Sequence, residues 1–170
     1  MAAMFLSRRR LLVLAVPAVV AGCGFRLRGT PNFAFSTILV NGASNSALVT
    51  ELRQSIASGS NISVLPAGTP PEQAQVVLDV LADQREKAVV GLSASGQVRE
   101  FQLRTRIRFR LRTPQGKELI PETELLQQRD ISYNESAALS KEAEEGLLYR
   151  DMQTDIVQQL MRRLAAVKTI

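Results

Sequence analysis

The chain has 170 residues, 45% of them apolar, with 21 basic and 16 acidic side chains for a net charge of +5. It contains no histidine and one cysteine, which excludes Ser-His-Asp and Cys-His catalysis and any intrachain disulfide. No glycine-rich phosphate loop, thiolate metal cluster, internal repeat or low-complexity segment appears, so neither an enzyme nor a cofactor is expected.

Arg8, Arg9 and Arg10 precede an apolar run from Leu11 to Ala21, which ends in Gly22-Cys23. A charged segment, a short apolar segment and small residues form a secretory signal. The run is too short to span a membrane, which takes about 20 apolar residues. Val20-Ala21-Gly22-Cys23 resembles the lipobox of bacterial lipoproteins. That resemblance implies cleavage before Cys23, with a covalent lipid on its thiol and its new amino group. Two or more acyl chains anchor a protein stably. Gly24 stands where inner-membrane lipoproteins carry Asp, which implies the periplasmic side of the outer membrane. Ser7-Arg8-Arg9-Arg10-Leu11-Leu12 fits either the general export route or a loose twin-arginine motif. Removing residues 1–22 takes away three arginines and no acid, leaving +2 over 148 residues. That length supports one domain with a real core. The small net charge, with export, argues against nucleic acid as a partner.

Residues 23–35 read as a lipidated tether, and 36–170 as a single α/β domain. Thr37-Ile38-Leu39-Val40 is a β-branched apolar run stopped by Asn41-Gly42, a buried strand. Asn45 or Ser46 can cap a helix over Ala47 to Ser58, with Leu48, Leu52 and Ile56 on one stripe. Ile62 to Leu65 is a second short strand, so this span predicts a parallel crossover unit. A proline-rich connection over Pro66 to Glu72 follows. The pattern then stays extended from Gln75 to Leu92, with Val76, Leu78 and Val80 on one face, and turns at Ser95-Gly96.

From Phe101 to Arg112 the alternation is nearly strict. Phe101, Leu103, Ile107, Phe109 and Leu111 share one face; Arg104, Arg106, Arg108, Arg110 and Arg112 share the other. The arginine face is either a solvated surface paired with Asp79, Asp83, Glu122 and Glu124, or a contact surface for an anionic ligand or a partner wall. A hairpin turn at Thr113 to Lys117 leads into another extended run as far as Tyr133. A final helix is predicted from Ser140 to Ala166, striped by Leu148, Met152, Ile156, Leu160 and Leu164 and widened by Leu147, Val157 and Met161. One-faced helices on a one-faced sheet predict an α+β, two-layer sandwich. Two helices would cover one face of a mixed, mainly antiparallel sheet of four to five strands.

This order of elements resembles the LptE (rare lipoprotein B) family of lipopolysaccharide-assembly lipoproteins. The residues that carry the resemblance are Ala21 to Gly29, the Gly96-Gln97 turn before the alternating strand, Ala138 to Lys141, and Gln159 to Leu164. The resemblance implies an outer-membrane lipoprotein that plugs the lumen of the barrel LptD, assists its assembly and contacts lipopolysaccharide. Lys141 matches a family position associated with that contact, and is otherwise an ordinary exposed lysine. A second basic family position falls here on Ala94 or Ser95, with Arg99 as a substitute beyond the turn. A reading from another class is a periplasm-facing lipoprotein subunit of a different envelope transport machine.

Overall fold

The alternation over residues 98–112 becomes strand β4 (Val98–Arg112), whose odd-numbered side chains from Leu103 to Leu111 are buried. The computed structural model describes residues 32–59 and 61–170. The expected signal over residues 1–22 and the expected lipidation site Cys23 lie outside those residues. The elements are β1 (Thr37–Asn41), α1 (Ala47–Gly59), β2 (Ser63–Val64), β3 (Val76–Leu92), β4, β5 (Glu118–Ser132) and α2 (Ala138–Ala166). The sheet order is β2-β1-β3-β4-β5. β1 pairs in parallel with β2 and β3, while β3, β4 and β5 pair antiparallel. The fold is thus α+β, with a mixed open sheet of five strands and two helices. The expected crossover unit is present, since β1, α1 and β2 follow one another and the strands run parallel.

Ser46 is the residue that caps α1: its Oγ accepts the Val49 N–H at 3.1 Å. The main core joins Ile38, Val40, Leu78, Ile107, Phe109 and Leu111 of the sheet to Leu48, Leu52 and Ile56 of α1 and Ile156, Leu160 and Leu164 of α2. Both helices therefore cover the same face. Phe33 and Phe35, read above as tether, pack against this core, and Phe35 is buried. Leu39, Val77 and Ala74 form a small cluster of their own with Leu65.

Three expectations shift. α2 begins at Ala138, two residues before Ser140, preceded by a short turn over Glu135–Ala137 that Asn134 caps through Ser136 N–H. Leu147 does not widen the buried stripe; it is exposed. Asp83 does not face the arginines. A register shift between Val80 and Ala82 swaps the faces of β3, so Asp79 opposes Arg110 but Asp83 opposes Ile107 on the helix side. There Asp83 accepts a 2.7 Å hydrogen bond from Ser46 Oγ.

Candidate functional site

The sheet face away from the helices carries the arginine stripe, and the structure resolves it residue by residue. Asp79 accepts from Arg110 Nε at 3.0 Å, Arg112 Nε at 2.8 Å and Asn41 Nδ2 at 3.0 Å. Burial acts to raise the Asp79 pKa, but the hydrogen bonds from Arg112, Asn41 and Arg110 and the Arg112 charge outweigh it. The carboxyl is held below its ordinary value. Arg108 donates to Glu122 at 2.9 Å, and Arg106 lies 3.8 Å from Glu124. Arg104 Nε donates to the Gln102 carbonyl Oε1 at 2.7 Å. Four of the five arginines meet carboxylates on neighbouring strands and Arg104 bonds within its own strand, so the stripe is not a bare cationic surface.

Lys141 sits elsewhere, in the first turn of α2, and reaches the end of β5. Its Nζ donates to Ser132 Oγ at 3.1 Å and to Glu144 at 2.9 Å. It borders a cavity of about 310 Å³ lined by Val98, Phe101, Ile131, Tyr133 and Lys87 among others. Lys87 crosses this space to Glu145 at 2.6 Å and lies 4.3 Å from the Phe101 ring centroid. Arg99 borders a different, shallower groove with Gln97, Asn134, Glu135 and Ser136. Among the described residues no side chain pairs with its guanidinium. Arg99 and Lys141 are thus close to the same hairpin end but do not share one cavity.

The sequence reading missed Lys87, Glu145 and Tyr149. Tyr149 Oη donates to the Glu86 carbonyl at 2.8 Å, and the Arg85 guanidinium lies 5.3 Å from its ring centroid. Burial, then the nearby Glu145 charge, raise the Tyr149 pKa against an opposing pull from Arg85. The β3 sequence from Asp83 to Lys87 is five polar residues in a row, a composition that a solvated surface shares.

A family model described as "LptE: Lipopolysaccharide-assembly" matches residues 35–164. The chain belongs to the LptE family. Relatives called LPS-assembly lipoprotein LptE include one from Pectobacterium atrosepticum, 26% identical over 94% of this chain and 88% of the relative. Another, from Yersinia enterocolitica, is 28% identical over 94% and 78%. The solution structure of lipoprotein B from Nitrosomonas europaea matches with a TM-score of 0.72 at 30% identity, covering 84% of this chain and 91% of that one. Rare lipoprotein B from Shewanella oneidensis shares the fold at a TM-score of 0.64 and 20% identity, over 77% and 95%. LptE proteins are lipopolysaccharide-assembly lipoproteins. No helix among the described residues is long and apolar enough to cross a membrane.

Proposed function

We propose that this chain is an outer-membrane lipoprotein, held by a lipid on Cys23, that plugs the lumen of the lipopolysaccharide-assembly barrel LptD. In this reading it assists assembly of that barrel and contacts lipopolysaccharide during transport to the cell surface. The observation that carries the reading is the family match over 35–164, which takes in all five strands and nearly all of both helices. The open sheet face supports it. A polar barrel lumen is lined by hydrogen-bonding side chains, and a ladder of paired Arg, Glu and Asp offers donors and acceptors together. Lys141, Arg99 and the basic face formed by Arg104 to Arg112 are the cations we assign to phosphate or lumen contact.

The test is affinity purification of the tagged full chain from outer membranes. A stoichiometric large β-barrel in the eluate is the expected result, and its absence overturns the reading. The anchor has its own check. Cys23→Ala removes the acceptor thiol, so the variant should be soluble or unprocessed, without acyl labelling and without normal outer-membrane fractionation. Unchanged labelling and fractionation would put the lipid elsewhere.

A further inference from the structure

The two long free edges of the sheet are built differently. β1 ends at Asn41 opposite Asp79, so among the described residues β3 has no strand on that side from Val80 to Leu92. This edge is blunted. It carries register shifts at Val80/Ala82, Val89/Gly91 and Gly91/Leu92. Ser46 sits on Asp83, and Tyr149 Oη takes the Glu86 carbonyl. β5 is the edge on the other side of the sheet. Its irregularity is confined to the start, where Pro121 lies and the register shifts between Phe109 and Arg112. From Thr123 to Ser132 it pairs with β4 through ten consecutive residues, with no proline and no bulge. That is roughly 33 Å at about 3.3 Å per residue. A long, flat edge is a template for another strand.

The phase of the ladder says which residues face that edge. Tyr133 N–H donates to Arg99 O, so Glu100 and Ser132 beside it form a non-hydrogen-bonded pair. By the alternation of an antiparallel ladder, the odd-numbered residues from Thr123 to Ile131 direct their backbone groups to β4. Glu124, Leu126, Gln128 and Asp130 direct theirs outward. The Gln128 carbonyl accepts from Arg129 Nη1 at 2.9 Å. The side chains of these even-numbered residues lie on the face away from the helices, opposite Arg108, Arg106, Arg104 and Gln102. With Glu122 they set three carboxylates along the edge and no cation. Arg129 is on the helix side, bonded to Asp155 at 2.9 Å. The carboxylates meet Arg108, Arg106 and Gln102 on their inner side and are exposed. A strand added outside β5 would meet them with alternate side chains of its own.

We propose that the Thr123–Ser132 edge of β5 takes an added strand, an extended segment of the barrel chain that carries Lys or Arg at alternate positions. This rests on the plug reading above. A closed barrel wall has no free strand edge, so the segment is one of the barrel's long loops folded into the lumen. A second copy of the chain is a poorer occupant. With no cation on this face of β5, no register of two copies sets opposite charges across it. The chain's own Arg26 and Arg28 are two residues apart, whereas Glu122 and Asp130 are eight apart, so that segment would meet only part of the edge.

The experiment places the photo-crosslinker benzoyl-phenylalanine at Gln128 of the full tagged chain in living cells and maps the adduct by mass spectrometry. The expected adduct is to a barrel segment outside the wall strands, with Lys or Arg at alternate positions. Leu126→Pro then removes one outward N–H and leaves the β4 ladder intact, a place where an edge strand tolerates proline. It should lower the adduct at least tenfold, while Leu126→Ala leaves it within twofold. An adduct that the proline variant does not lower, or that Leu126→Ala lowers as much, overturns the proposal. If the proline variant melts well below the parent chain, Glu124→Lys takes its place. That change keeps the backbone and reverses one charge, so the adduct should fall severalfold, and an unchanged adduct overturns the proposal. Adducts to a second copy, to residues 24–31 of the same chain, or to a barrel segment without alternate cations overturn it too. Barrel co-purification from the same cells separates the two readings. With the barrel present and no adduct to it, only the edge proposal fails; with the barrel missing, the plug reading fails and the edge proposal with it.

Discussion

Between Val76 and Val80, strand β3 meets the helix layer through apolar side chains; between Asp83 and Lys87 the same strand meets it through polar ones. In the first stretch Val76 and Leu78 are fully buried in a cluster that also takes in Ile56, Ile156 and Leu160. In the second, Arg85 donates to Gln153 at 2.7 Å, Gln153 donates to Glu51 at 2.6 Å, and Lys87 pairs with Glu145. A smaller apolar cluster of Leu103, Ile131 and Met152 lies beyond this polar belt. The helix differs in step. α2 is buried at Met152, Gln153, Ile156, Val157, Leu160 and Leu164, and at no residue before Met152. One half is held by burial, which is strong and non-directional. The other has only the small Leu103, Ile131 and Met152 cluster, supplemented by partly exposed ion pairs and cation–π contacts each worth about 1 kcal/mol or less. The half next to β1 should therefore set global stability, and the far half should open locally.

The largest test of that contrast is a charge placed in the apolar half. Ile107 is fully buried and Arg108, its neighbour on β4, points the other way. Ile107→Asp should cost about 4 kcal/mol or more, since it buries an unpaired carboxylate. Arg108→Ser removes one exposed pair with Glu122 and should cost at most about 1 kcal/mol. Thermal melts of the two variants give the ranking, and the reverse order would reject the face assignment.

A matched pair sharpens it. Leu111 and Leu103 are both fully buried on β4, one in the main cluster and one in the small far cluster. The cost of Leu→Ala depends on how far the site can collapse around the lost volume. Leu111→Ala should cost about 4 kcal/mol in denaturant unfolding and Leu103→Ala about 2 kcal/mol. Equal costs would mean the far cluster is packed as firmly as the main one.

These halves were not equally legible in the sequence. Strict alternation in β4 gave its faces because period two is the strand's own geometry. The four-residue spacing of Met152, Ile156, Leu160 and Leu164 gave the helix stripe for the same kind of reason. Asp83 went to the wrong face because one extra residue near Leu81 shifts the register, and no residue type there announces a bulge. Lys87 and Glu145 stayed hidden because a polar strand facing a polar helix has the same composition as a solvated surface. Of the candidate site, the arginine stripe was visible as a pattern. Asp79, Glu122 and Glu124 were legible as candidate partners; which arginine each takes needed the register.

Acid should act on the half next to β1 through Asp79. Its pKa is lowered in the folded chain, so its contribution is present above the ordinary carboxylate value. It is lost as pH falls through the folded value, in the window below about pH 4. Asp79→Asn keeps the shape but weakens the bonds to Arg110 and Arg112. It should cost about 2 kcal/mol at neutral pH and flatten the decline in melting temperature below pH 4 relative to the parent chain. A variant whose acid limb keeps the parent slope would assign that limb to other carboxylates.

The smallest expected effect probes the far half alone. Gly146 lies within the 29-residue α2, and a Cβ there would meet nothing within 4 Å. Nothing in the packing of the described residues requires a glycine there, and glycine weakens a helix by about 0.5–1 kcal/mol relative to alanine. Gly146→Ala should therefore slow amide exchange over residues 138–150 by about two- to fivefold, the factor that this energy corresponds to. The global melt should not move, because unfolding is governed by the apolar half. If the melt rises by the full helix-propensity gain while exchange over 138–150 matches that of 152–166, then α2 opens as one unit with the core. The polar belt through Arg85, Gln153 and Glu51 would then join the two halves rather than divide them.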